Sequence, residues 1–152
     1  MTIKTLQALT TAFLDGGFSM DVVHKNGSYS VWNGSSYDFF NGVYQPTVGR
    51  EFAAIHVNPV DTTSMTLNDS VQDDGIFQIS LRYPLDSASI NTEQKVDEIS
   101  SIFNVGSRLV YAGHTVHIWR RSRSNGVQSI GDEYSSFYKT IIRYHYRSYP
   151  QR

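Results

Sequence analysis

Histidines, aspartates and arginines are the residues of this chain whose chemistry could build a site. The histidines are His24, His56, His114, His117 and His145. His114 and His117 are the only close pair, and their odd separation places them on opposite faces of an extended segment, which prevents them from chelating one metal ion. We therefore interpret the histidines as ordinary strand or turn residues and expect no metal site.

A cluster of aspartates, Asp69, Asp73 and Asp74, lies in the polar segment 61–75. A calcium-binding loop places oxygen ligands at alternating positions, with a glycine between them and a distant glutamate, and residues 69–75 do not match that pattern. We interpret the cluster as a solvated or partner-facing surface, with a weak cation site as the alternative.

The densest positive run is Arg120, Arg121 and Arg123, and Arg143 and Arg147 continue it on the final predicted strand. Three interpretations stay open: contact with another protein, plain solvated surface, or electrostatic binding of a nucleic acid. The whole chain disfavours the last one, since 13 basic and 14 acidic residues give a formal net charge of −1.

Motifs of catalysis are missing from the sequence. Neither phosphate-binding pattern, G-x-x-x-x-G-K-[ST] or G-x-G-x-x-G, occurs, and the nucleophile pattern G-x-S-x-G does not occur either. The chain has no cysteine, which excludes disulfides, thiolate zinc sites and cysteine nucleophiles. We therefore expect a protein that is not an enzyme and has no cofactor.

Two helices are predicted from apolar residues that recur at spacings of three and four. Residues 2–15 have this spacing and stop at Gly16-Gly17, since glycine favours the left-handed end of a helix. Residues 89–104 have it again, with Gly106 just beyond.

Strands are predicted where apolar and polar residues alternate, most clearly over 76–83. Asn26-Gly27 predicts a tight hairpin turn between 22–25 and 28–32. The other predicted strands are 52–60, 109–111, 115–121 and 134–149, and the predicted turn-rich or polar connections are 33–49, 61–75 and 122–133. The result is a single α+β domain over 1–152, with a mostly antiparallel sheet packed with two helices.

Charge is unevenly distributed along the chain. Residues 1–103 contain five basic and twelve acidic residues, whereas residues 104–152 contain eight and two. Unlike patches of this kind could meet between copies in a head-to-tail ring, or both could be ordinary solvated surface. The sequence shows no secretory signal pattern and no apolar stretch that could span a bilayer, so we expect a soluble protein with no membrane partner.

Residues 75–84, Gly-Ile-Phe-Gln-Ile-Ser-Leu-Arg-Tyr-Pro, form a predicted strand that ends in proline. The helix that follows ends in Ile99-Ser100-Ser101-Ile102-Phe103, with Gly106 soon after. A short N-terminal helix, an extended segment with Trp32, Phe39 and Pro46, and a long final strand complete the order of elements. Over nearly the whole chain, this order is similar to that of the small tail terminator-like family of long-tailed bacteriophages.

This resemblance implies a structural virion protein, synthesised in the host cytoplasm, that forms a hexameric ring at the head-proximal end of the tail tube. The ring would end tube polymerisation and provide the head–tail joining surface. Its partners would be other copies, the tail tube protein and a head–tail connector protein, with genomic DNA passing through without specific binding. The family supplies no catalytic residues.

Contact residues are therefore suggested from this sequence alone. The candidates are Asp69, Asp73, Asp74, Arg120, Arg121, Arg123, Arg143 and Arg147. The alternatives are another neck or head–tail connector subunit, a nucleic-acid-binding module, and a small enzyme with an unrecognised site.

Overall fold

In the residues that it describes, the computed structural model of the chain has two helices and an eight-stranded sheet. The structure describes residues 3–24, 27–45, 50–64, 71–84, 88–111, 113–127 and 137–150. The helices are α1 (Ile3–Asp15) and α2 (Ala88–Ile102). The strands are β1 (Asp21–His24), β2 (Ser28–Trp32), β3 (Tyr37–Asn41), β4 (Phe52–Ser64), β5 (Val71–Pro84), β6 (Arg108–Tyr111), β7 (His114–Val127) and β8 (Phe137–Pro150).

The strands form one sheet in the order β3-β2-β1-β4-β5-β8-β7-β6. Every neighbouring pair is antiparallel except β1 and β4, which are parallel. The predicted α+β class and the mostly antiparallel sheet with two helices are confirmed. β8, the last of the described strands along the chain, lies in the interior of the sheet between β5 and β7.

Both helices pack on one face of the sheet, the helix face, where alternate strand residues are buried in a common core. Phe13 of α1, Phe77 of β5 and Phe103, which directly follows α2, meet at its centre, with ring centroids 5.2–6.4 Å apart. The helix spacing of three and four brings Leu9 and Phe13 to the same side of α1, and both are fully buried. The core is therefore made by the apolar patterns from which the elements were predicted.

Three predicted connections are wrong in part. Residues 61–64 pair with 71–74, residues 122–127 pair with 138–143, and residues 37–41 form β3. The sequence pattern did not predict these strands because they lie at the edge or the ends of the sheet. Strand segments there show less alternation of apolar and polar residues. Residues 65–70, 128–136 and 46–49 lie outside the described part.

The pairing of the long strands shows which residues lie at each end of the sheet. β5 begins at Val71, beside the β4–β5 connection, and its last residue, Pro84, pairs with Phe137, where β8 begins after the β7–β8 connection. A strand of 14 residues at a rise of ~3.3 Å per residue is roughly 40 Å long. Ser64 and Val71 therefore lie at one end of the long strands, and Val127 and Phe137 lie at the other.

Candidate protein interface

The face of the sheet away from the helices, the open face, presents three of the predicted basic residues. Strand alternation and register place Arg120, Arg143 and Arg147 there, because they pair with His145, Gln78 and Asp74 rather than with core residues. Ile142, Tyr144 and Tyr146, which alternate with the two arginines of β8, are buried on the helix face.

A β-bulge at Trp119 organises this part of the open face. The register of β7 against β8 shifts between Ile118 and Arg120, so Trp119 is an extra residue in the strand. Its ring is 44% exposed and lies 5.5 Å from the His145 ring. The Arg147 guanidinium lies 5.9 Å from the centroid of the Trp119 ring, within the range of a cation–π contact. We call Trp119 and its basic neighbours the basic half of the open face.

Arg121 and Arg123 point to α2 on the helix face instead. Arg121 Nη1 donates to Ser100 Oγ at 2.9 Å. Arg123 Nη1 donates to Glu93 Oε2 at 2.9 Å and its Nη2 forms an ion pair with the same carboxylate, which lowers the pKa of Glu93. Arginines that are adjacent in sequence thus belong to two different faces.

The predicted acidic and basic sets meet within one protomer. Arg147 Nε donates to Asp74 Oδ1 at 3.2 Å across β8 and β5. Exposed pairs of this kind contribute roughly 0–1 kcal/mol, so the contact orients the two side chains more than it stabilises the fold. Asp73 lies in β5 with its side chain outside the described part, and Asp69 lies outside it altogether.

His145 titrates below its ordinary range on this face. Burial lowers the pKa of His145, and the positive charges of Arg120 and Arg143 lower it further. The imidazole is therefore neutral near pH 7, and the guanidinium groups carry the positive charge of the basic half.

The other part of the open face, the aromatic half, is packed by a row of rings. Phe40 stacks on Tyr29 at 5.4 Å, and Tyr44 lies 5.2 Å from Phe52. Tyr44 Oη donates to Asp21 Oδ2 at 2.7 Å, which anchors the segment that follows β3 over the sheet. Tyr44 is buried by these contacts, and no sequence pattern indicated its partnership with Asp21.

One histidine–serine pair that could resemble a catalytic pair is buried. His114 forms a hydrogen bond with Ser148, but the two residues are only 3% and 0% exposed, which leaves a substrate no access. His114 and His117 lie on opposite faces of β7, as the sequence predicted. Among the described residues, no group of three histidine or carboxylate side chains is placed to bind a metal ion.

One cavity lies between α1 and strands β1–β5, with a volume of about 450 Å³. Its lining is mainly apolar and hydroxyl side chains, including Leu6, Thr10, Phe39 and Val57. His24 and His56 also line it, and burial lowers the pKa of His24. Such a lining offers shape and apolar contact rather than converging acid and base groups.

Together these features define an α+β protein whose polar groups are spread over its surfaces. The chain belongs to the phage tail terminator protein family, whose model matches residues 40–141, about two thirds of the sequence. It is therefore a structural protein of a phage tail, a component of the virion that associates with other tail or head proteins.

A solved structure, of a protein whose name carries no functional information, has the same fold. The two share 18% sequence identity with a TM-score of 0.57, and the match covers 97% of this chain and 96% of that one. No curated protein matches the chain. Within the described residues, neither helix has the length and apolar character needed to cross a membrane.

Proposed function

We propose that this protein forms a hexameric ring at the head-proximal end of the tail tube, where it ends tube polymerisation and provides the surface that joins the head. The observation that carries the proposal is the family match over 40–141, which extends from β3 into β8. A ring of identical protomers needs unlike patches of one protomer to meet, because its contacts are heterologous.

The two distant ends of the long strands support a protomer that contacts two partners. β4 ends at Ser64 and β7 ends at Val127, at opposite ends of strands that are roughly 40 Å long at ~3.3 Å per residue. A ring built from such protomers can present one end to the tail tube protein and the other to a head–tail connector protein.

The charges of the described residues support passage of genomic DNA through the ring without specific binding. Arg121, Arg123 and Arg147 each have a partner in the same protomer, at Ser100, Glu93 and Asp74. A nucleic-acid-binding surface would instead offer its cations to phosphates and would lose affinity steeply with added salt.

Light scattering and negative-stain imaging test the ring directly. We expect a species of about six times 17.2 kDa that images as a ring, either alone or after addition of polymerised tail tube protein, since assembly can be templated by the tube tip. Sedimentation with polymerised tube separates this function from that of a neck or head-closure subunit, which would bind the head-side connector instead. A monomer that does not bind the tube in any of these assays contradicts the proposal.

Single charge reversals then ask which candidate contacts the ring uses. Arg120 lies on the open face and Arg121 is held by Ser100 at 2.9 Å, so the two adjacent residues are a matched pair. If unlike charges guide assembly through the open face, Arg120→Glu lowers the ring population at low salt more than Arg121→Glu does. Unchanged ring populations in both variants would remove the electrostatic argument.

A further inference from the structure

The outermost strands of the sheet, β3 and β6, expose apolar side chains. Phe39 and Phe40 of β3 are 63% and 45% exposed, and Val110 of β6 is 60% exposed. Within the described part of the chain, no strand lies beyond either one. An open apolar edge is a ready template for pairing with another strand, and folded proteins usually protect it.

The directions of the two edge strands are matched. Six antiparallel pairs and one parallel pair separate β3 from β6. Because each antiparallel pair reverses the strand direction and six reversals cancel, β3 and β6 run in the same direction. A second copy that continues the sheet in the same orientation would therefore place its β6 beside β3 as a parallel neighbour. The helices of both copies would then lie on the same side of the continued sheet.

The backbone of β3 has outward groups at alternate residues. Hydrogen bonds from Asn33 N to Ser36 O at 3.0 Å and from Gly42 N to Gly27 O at 2.8 Å lie at the two ends of the β2–β3 ladder. Because hydrogen-bonded pairs alternate along an antiparallel ladder, the residues between them that do not bond to β2 direct N–H and C=O away from it. Those residues are Tyr37, Phe39 and Asn41.

The same reasoning fixes the outward residues of β6. Ile118 N donates to Ser107 O at 3.0 Å, so the hydrogen-bonded pairs with β7 fall at every second residue from Ser107. Arg108 and Val110 therefore direct their backbone groups outward.

Only certain registers satisfy both edges at once. In a parallel pair, one residue bonds to the two residues that flank its opposite number. This condition is met when Phe39 lies opposite Leu109. The outward N–H of Phe39 then reaches the C=O of Arg108, and its outward C=O reaches the N–H of Val110.

The side chains agree with this register. Phe39 and Leu109 lie on the helix face of their own copies, because they pair with Ser30 and Val116. On the open face, Asp38 comes opposite Arg108 and Phe40 comes opposite Val110. Asp38 accepts a long hydrogen bond of 3.4 Å from Asn33 Nδ2, so a closer cation can still bind it.

We propose that β3 of one copy pairs in parallel with β6 of the next, with Phe39 opposite Leu109, so that the sheet continues from copy to copy. The inference rests on the proposed ring and names its contact. The Asp38–Arg108 pair fixes the register, while the exposed phenylalanine and valine side chains are buried by the neighbour.

Cysteine crosslinking tests the contact, because the native chain has no cysteine. Asp38→Cys and Arg108→Cys proteins, mixed and treated with a short bis-maleimide, should give a covalent dimer, whereas neither protein alone should. A chain with both substitutions should give a ladder that ends at the ring size. A dimer from the Asp38→Cys protein alone would show that β3 pairs with itself, and would overturn the proposal.

Charge exchange supplies a second test that does not depend on crosslinker geometry. Asp38→Arg and Arg108→Asp should each lower the ring population, and the double variant D38R/R108D should restore it. Failure of the double variant to recover, together with no crosslink in a ring of normal mass, overturns this contact but leaves the proposed function intact. Wild-type protein that neither forms a ring nor binds the tube overturns the proposed function itself.

Discussion

The two faces of the sheet use the same strands for different purposes. On the helix face, Phe77, Ile79 and Tyr144 are fully buried beneath α1 and α2. On the open face, the alternate residues Gln78 and Arg143 remain partly exposed. One face supplies most of the stability of the fold through hydrophobic burial, and the other supplies surface for partners. Residues one position apart should therefore respond very differently to substitution.

The largest expected effect comes from truncation at the centre of the helix face. Phe77→Ala removes a ring that contacts Phe13 and Phe103, and should lower the free energy of unfolding by about 3–5 kcal/mol. Gln78→Ala, its neighbour on the open face, is the control and should change it by less than ~0.5 kcal/mol. Urea unfolding measures both, and similar losses would mean that the two faces are not divided in this way.

A smaller loss is expected where the sheet leaves no room for a side chain. A Cβ at Gly75 would lie 2.7 Å from Asn58 O and 2.6 Å from Tyr146 Cζ. Because one of these neighbours is backbone, Gly75→Ala should cost about 1–3 kcal/mol of unfolding free energy, as overpacked sites do. An unchanged urea midpoint would show that β4 and the Tyr146 ring move aside without cost.

Acid should weaken the protein through His24, by less than either core substitution. Burial lowers the pKa of His24 below its usual 6.5, so the folded state disfavours the imidazolium. The free energy of unfolding is therefore highest above pH 6.5, where His24 is neutral in both states. It falls as the pH drops towards the lower pKa of the folded state, because only the unfolded chain binds the proton readily. His24→Gln should flatten the dependence of unfolding free energy on pH in that window, and an unaltered slope would exclude His24 as the cause.

Salt should distinguish His24 from His145. The pKa of His145 is lowered by burial and then by Arg120 and Arg143, and salt screens charges on an exposed face. NMR titration should therefore show the pKa of His145 rising with ionic strength while that of His24 stays constant. Equal shifts at both histidines would contradict this assignment of causes.

The smallest effect is expected at the ion pair between α2 and β7. Glu93 is exposed on α2, and side chains of this kind gain little from a partner because water solvates them well. Glu93→Gln should leave the urea midpoint unchanged within error. A clear loss would mean that the pair with Arg123 is shielded from solvent, as it would be in an assembled ring.

Sequence patterns predicted the parts of the fold that a helix covers. Alternation over 76–83 and helical spacing in 2–15 each describe a segment with one buried side. The strand is confirmed, and the helix is confirmed over the described residues 3–15. The pattern fails in 61–64 and 122–127, where strands near the ends of the sheet have polar residues at positions that would otherwise be apolar. Strand pairing there comes from backbone hydrogen bonds continued from the covered part of the hairpin.

The candidate site was harder to predict than the fold. The sequence identified Arg120 and Arg121 as one run, but a single inserted residue at Trp119 determines which face each occupies. Asp74 and Arg147 are separated by 73 positions, and only the order of the strands makes them neighbours. The local sequence pattern shows neither the position of a β-bulge nor the order of the strands in the sheet.

The position of β8 has a consequence for how the protein is made. Until residues 137–150 emerge from the ribosome, β5 and β7 each lack a neighbour, and the sheet exists at most as two separate pieces. Pairings between residues far apart in sequence form slowly, and exposed strands are prone to aggregation in the meantime. We therefore expect the sheet of this protein to be completed only when β8 pairs with β5 and β7.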